Sequence, residues 1–168
     1  NHASYGGAIG WNLLSVLTVS GSHFERNGAE LQGGSLYGST FGDSKLKDLQ
    51  FMQNGAKNGG GVYVENPTVQ STFIAQRVLF DSNFATHNGG AIFLDVQSNV
   101  SLDSCIVRNN TAFYGGGGAV FWPTHRPEYI NVSMSNNSAA YGDAEASGVC
   151  ALQVLDAVWY SAQVFYLS

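Results

Sequence analysis

Asp81, Asp95, Asp103, His87, Arg77 and Arg108 are the side chains best suited to chemistry, with His2, His23, His125, Cys105 and Cys150 beside them. Paired carboxylates on one exposed face would serve a polysaccharide hydrolase. An Arg or Lys base beside acidic calcium ligands would serve a lyase. Neither pattern is complete here. Asp81 and Arg108 stand as neighbours and read as a surface ion pair. Asp95 and Asp103 belong to no recurring position, and no Asp-Asp or Arg-x-Lys cluster occurs. The four His fall at four unrelated offsets and build no metal site. Calcium-binding Gly-Gly-x-Gly-x-Asp repeats are absent, and Gly115–Gly118 lacks the Lys-Ser/Thr of a phosphate loop. No catalytic residue, metal ligand or cofactor is therefore assigned.

The elements that position these residues repeat. The stretch FDSNFATHNGGAIFL, Phe80 to Leu94, has related copies anchored on Asn1, Asn27, Asn54, Asn110 and Asn137, spaced 26 to 29 residues apart. Such a period marks a solenoid. Three residues before the anchor stand Phe24, Phe51, Phe80, Val107 and Met134. Five before it stand Ser22, Leu49, Val78, Cys105 and Val132. The intervening positions are mostly polar, so a half-buried strand leads into each Asn. Two after the anchor comes Ala3, Ala29, Ala56, Ala85, Ala112 or Ala139, expected at a tight inside corner. The Gly pair that follows permits a second bend. Strands and corners leave little room for helix. The expected fold is all-β, a right-handed parallel β-helix of about six coils of roughly 27 residues, with Asn27, Asn54, Asn83, Asn110 and Asn137 as a structural ladder along its axis.

Phe-x-x-Asn followed by Gly-Gly-Ala-Ile resembles the repeat of the chlamydial polymorphic outer-membrane proteins, also found in surface proteins of algae and other protists. Asn83 with Gly89–Ile92 is the best copy. The Asn137 copy departs, with Asp143 where the second Gly belongs. The resemblance implies a secreted or surface-displayed structural, adhesive or assembly module, and it brings no shared catalytic residues.

Composition points the same way. Charged residues are 11% of the chain, against about 25% in ordinary soluble domains. A formal charge of −5 without a basic run argues against nucleic acid as a partner. No apolar stretch reaches the length of a transmembrane helix. Residues 1–144 read as repeats and 145–168 as an irregular last coil, a cap or a partner-docking segment. Because the chain opens on a repeat anchor, it reads as a piece of something longer, whose first edge strands invite self-association. Ser35–Ser44 reads as a loop, Pro67 as an outer turn, and Pro123–Tyr129 as an outward bulge. Cys105 is expected to be buried and unpaired with Cys150. The sequons at Asn99, Asn109, Asn131 and Asn136 suit an extracellular or cell-surface glycoprotein.

The strand after the Gly pair alternates an aliphatic column (Ile9, Leu36, Val62, Ile92, Val120) with an aromatic one (Tyr37, Tyr63, Phe93, Phe121). The two must face opposite ways. With the aliphatic column inside, the aromatics form an exposed stripe, the expected face for other protein subunits, neighbouring β-helix segments or glycans; the alternative is the reverse assignment, with the aromatics filling the core. A non-catalytic module is thus the favoured reading, and part of a carbohydrate-active β-helix enzyme the alternative.

Overall fold

The computed structural model describes residues 1–12, 16–39, 43–66, 72–96, 99–121, 128–141 and 162–163. The first coil holds β1 (His2–Tyr5), β2 (Ile9–Asn12), β3 (Leu17–Ser20) and β4 (His23–Glu25). The second holds β5 (Gly28–Gln32), β6 (Leu36–Ser39) and β7 (Ser44–Met52); the third, β8 (Gly55–Ala56), β9 (Val62–Asn66) and β10 (Thr72–Asp81). The fourth holds β11 (Phe84–Ala85), β12 (Ile92–Val96), β13 (Asn99–Asp103) and β14 (Ile106–Arg108). The fifth holds β15 (Thr111–Tyr114), β16 (Ala119–Phe121), β17 (Glu128–Ile130) and β18 (Ser133–Ser135). β19 (Ser138–Tyr141) opens another coil, and β20 (Ala162–Gln163) pairs antiparallel with β18.

Equivalent strands stack in parallel into three sheets, of six (β1-β5-β8-β11-β15-β19), five (β16-β12-β9-β6-β2) and nine strands. The fold is a parallel β-helix. Fewer coils are complete than the six expected, because among the described residues the sixth anchor, Asn137, leads into a parallel strand of the six-stranded sheet alone.

The core is a set of axial ladders. Phe24, Phe51 and Phe80 stack with ring centroids 5.0 Å apart and planes within 7°, and Phe80 pairs with Val107 on the next coil. Leu49, Val78, Cys105 and Val132 are buried beside them. Leu36, Val62 and Ile92 close the core from the five-stranded sheet.

Five of the six anchor asparagines, Asn27, Asn54, Asn83, Asn110 and Asn137, are buried. In each step the Oδ1 of one accepts the backbone N–H and the Nδ2 of the preceding one, at 2.8 to 3.1 Å. The Nδ2 groups of Asn54, Asn83, Asn110 and Asn137 also donate back to the carbonyls of Phe24, Phe51, Phe80 and Val107. Buried amides are thereby satisfied along the axis.

Several expectations change. The alanine column is not a corner: Ala29, Ala56, Ala85 and Ala112 lie in the strands of the narrow six-stranded sheet, where their methyls face in. Ser35–Ser44 is not a loop throughout, since Leu36–Ser39 is a strand and Ser35 and Ser44 are buried. Two further columns, besides the first Gly of each pair, are left-handed. Six before the anchor stand Gly21, Asp48, Arg77, Ser104 and Asn131, and one before it Arg26, Gln53, Ser82, Asn109 and Asn136, with φ between 52° and 58°. Period-two alternation therefore breaks in every coil. The first column bends the nine-stranded sheet into an elbow, and the second turns the chain into the anchor. Pro67, Pro123, Cys150 and all but Ala162–Gln163 of 145–168 lie outside the described residues.

At the second Gly of each pair, coils approach too closely for a side chain. A Cβ on Gly60 would strike the carbonyls of Gly90 and Phe84, and one on Gly90 those of Gly117 and Thr111.

Phe80→Ala is expected to lower stability by about 3 to 5 kcal/mol, as truncation of a buried aromatic does. Asn83→Ala, which strips an acceptor from Asn54 and a donor from Phe51, should cost about 1 to 3 kcal/mol. Urea unfolding of both variants tests the stacking; unchanged midpoints would refute it.

Candidate interaction faces

The aromatic column does not form the exposed stripe expected of it. Tyr37 pairs with Tyr63 and Tyr63 with Phe93, and the rings stack at 5.9 and 4.9 Å, outside the aliphatic core. Yet Tyr63 and Phe93 are each only 5% exposed. The phenol hydroxyls of Tyr37 and Tyr63 both donate to Glu65, at 2.9 and 3.1 Å. Burial, reinforced by Glu65, holds the Tyr37 phenol above its ordinary range despite the opposing bond to Ser39. The column is a second, subsidiary core.

Phe121 does not belong to it. Ile92 pairs with Ala119, Phe93 with Val120 and Leu94 with Phe121. The run Gly115–Gly118 carries extra glycine, and matching Gly-Gly-Ala-Val to Gly-Gly-Ala-Ile slips the register by one residue, so that Val120 and not Phe121 pairs with Phe93.

Tyr5, 46% exposed, packs on Tyr37 at 4.9 Å, and further rings reach solvent on another face. Phe84 (47% exposed), Phe113 (44%) and Tyr114 (46%) project from β11 and β15 on the outside of the six-stranded sheet. Phe113 meets Tyr114 edge-on at 4.8 Å, and Tyr114 meets His87 at 5.5 Å. The alternation Thr111-Ala112-Phe113 about the inward Ala112 was the available sequence signal. It was obscured because these positions vary from coil to coil, whereas the Tyr37 column repeats.

The charged candidates pair across coils instead of converging. Arg77 bonds Asp48 through Nε and Nη2, at 2.6 and 3.0 Å. Arg108 bonds Asp81 at 2.7 and 2.8 Å. Asp81 is buried and also accepts from Asn109 and Ser82, both at 2.9 Å. Burial acts to raise its pKa, but these hydrogen bonds and the Arg108 charge outweigh it and leave the carboxyl below its usual range. Asp103 accepts from Ser104, and His87 lies across the coil beside Tyr114. Nothing is described of the Asp95 side chain. Among the described residues no three His, Cys, Asp or Glu side chains are grouped to hold a metal. Cys105 is buried, and burial pushes its thiol up to about 11, which removes it as a nucleophile. The four sequon asparagines are exposed. Asn109 donates its amide to Asp81, and Asn136 donates to Asn109.

A model of the Chlamydia polymorphic membrane protein repeat matches residues 77–95, the coil carrying Asn83. The chain carries this chlamydial repeat. It is 36% identical over 127 residues to probable outer membrane protein pmp20 of Chlamydia pneumoniae, and 25% identical over 120 residues to probable outer membrane protein pmp21 of the same organism. These alignments take in 70% and 71% of the chain but 7% and 8% of the relatives, so the chain spans under a tenth of their length. No solved structure matches. The chlamydial repeat makes this a segment of surface or outer-membrane type, with an extracellular or cell-surface location. No helix among the described residues is long and apolar enough to cross a membrane.

The depressed pKa of Asp81 sets a pH dependence. Its contribution to stability is complete above the unfolded carboxylate value of about 3.9 and is lost as pH falls through the lower folded value. Asp81→Asn should be less stable than the parent near pH 6, with the gap closing as pH drops below 4. Urea midpoints across that range check it; a gap independent of pH would contradict the assignment.

Proposed function

We propose that the segment is a non-catalytic structural and adhesive module, engaging a protein subunit, a neighbouring β-helix segment or a glycan through an outer face. The observation that carries this reading is the set of half-exposed rings on the outside of the six-stranded sheet, Phe84 on one coil and the Phe113–Tyr114 pair on the next. Grouped rings on a surface otherwise rich in hydroxyls favour an interface. The spending of repeated polar side chains on bonds between coils, rather than in a shared cleft, supports a scaffold over an enzyme.

Binding of the fluorescently labelled full chain to cultured animal cells tests this. The double variant Phe84→Ser, Phe113→Ser should bind about tenfold more weakly, the equivalent of about 1.4 kcal/mol, with its melting temperature unchanged. Undiminished binding would remove the face from consideration. Release of reducing ends from polysaccharides by the purified chain would favour the carbohydrate-active enzyme instead.

We infer further that, in a eukaryotic secretory host, Asn99 and Asn131 are glycosylated ahead of Asn109 and Asn136, whose amide nitrogens already donate hydrogen bonds. Glycopeptide mass spectrometry should find that order of occupancy, and equal occupancy at all four would contradict it.

A further inference from the structure

The elbow of the nine-stranded sheet carries a feature that the ring cluster does not explain. A groove of about 370 Å³ opens there, lined by Asp48, Gln50, Arg77, Leu79, Ser104 and Ile106. Asp48, Arg77 and Ser104 are the left-handed residues of three successive coils, so the groove runs along the axis with one polar station per coil. Gln50, Leu79 and Ile106 hold the matching position two residues on, and Ile106 is exposed.

We infer that this groove binds an extended, neutral oligosaccharide laid across the coils, a second site that goes beyond the ring face of the adhesive reading. Arg77 and Asp48 form a forked ion pair whose charges cancel, which disfavours a polyanion. The guanidinium has five N–H donors and the bonds to Asp48 use two of them. The remaining donors and the carboxylate lone pairs can meet neighbouring hydroxyls of a sugar. Gln50 and the Ser104 hydroxyl, which donates to Asp103 and keeps its acceptor capacity, extend this polar row. Leu79 and Ile106 supply the apolar surface against which the C–H face of a pyranose packs. An extended peptide fits less well. Its affinity would come from main-chain pairing at a free sheet edge, but β7, β10 and β14 are each paired on both sides.

Isothermal titration of the full chain with neutral hexasaccharides of glucose, mannose and N-acetylglucosamine tests the assignment, with hexagalacturonate and a polar hexapeptide as comparisons. At least one neutral hexasaccharide should bind, and more tightly than either comparison. Arg77→Asn removes the guanidinium while tolerating the left-handed backbone, and Ile106→Glu charges the apolar wall. Each should weaken binding about tenfold or more at unchanged melting temperature, whereas the Phe84, Phe113 double variant should leave it intact. Absence of binding, tighter binding of hexagalacturonate or the peptide, or binding that survives both groove variants overturns the inference. If cells are still bound while the sugars are not, the groove assignment fails and the adhesive module stands. If the bound sugar is cleaved, the groove assignment holds and the non-catalytic reading fails.

Discussion

A primary amide sealed from water inside a β-helix has two lone pairs and two N–H groups to satisfy, and the backbone of its own coil does not supply all four partners. In this chain they come from the coils on either side: the carbonyl oxygen takes two donors from the preceding anchor, and the amide nitrogen reaches both the next anchor and the carbonyl of a core residue one coil back. Because an unpaired buried amide costs more than a bond formed with it returns, every coil is held to the register of its neighbours. The irregular step from Asn54 to Asn83 shows the constraint at work. Ser39 pairs with Glu65 and Ser44 with Phe73, so the extra residues fall between Glu65 and Phe73, away from the ladder.

That register places every other column. Stacked phenylalanines and aliphatic side chains line up because the anchors do, and burial of each is shared with the coil above and below. The chain also has to turn sharply within each coil without a helix to carry it round. It does so at residues with positive φ, and only one of the three recurring left-handed columns uses glycine throughout. Asn, Asp and Ser tolerate that conformation through local hydrogen bonding, but Arg26, Arg77 and Gln53 adopt it too. At Arg77 the ion pair to Asp48, itself left-handed, offsets part of that cost.

The functional consequence is a division of labour. Positions bonded along the axis repeat and hold the rod together, while outward positions vary from coil to coil. Phe84 stands where the neighbouring coils carry Gly55 and Thr111, Phe113 where they carry Thr86 and Ala140, and the elbow presents a different side chain at each station. A solenoid of this kind changes what its surface engages without disturbing its core, which suits a segment covering under a tenth of its outer-membrane relatives.

The anchor spacing, the apolar columns before each Asn and the Gly pairs were sufficient to read a parallel β-helix and its phenylalanine ladder, because burial and backbone strain act on residue type at a fixed period. Three features needed the tertiary structure. The two left-handed columns six and one before the anchor carry no shared residue type, since the conformation is imposed by the coil and adopted by Asp, Arg, Ser and Asn alike. The pairing of Phe121 with Leu94 turned on which glycine of Gly115–Gly118 meets Gly89 and Gly90. The burial of Tyr63 and Phe93, against the exposure of Phe84 and Phe113, goes with the stacking of Tyr37, Tyr63 and Phe93 on successive coils, a long-range property that alternation along a single strand does not contain.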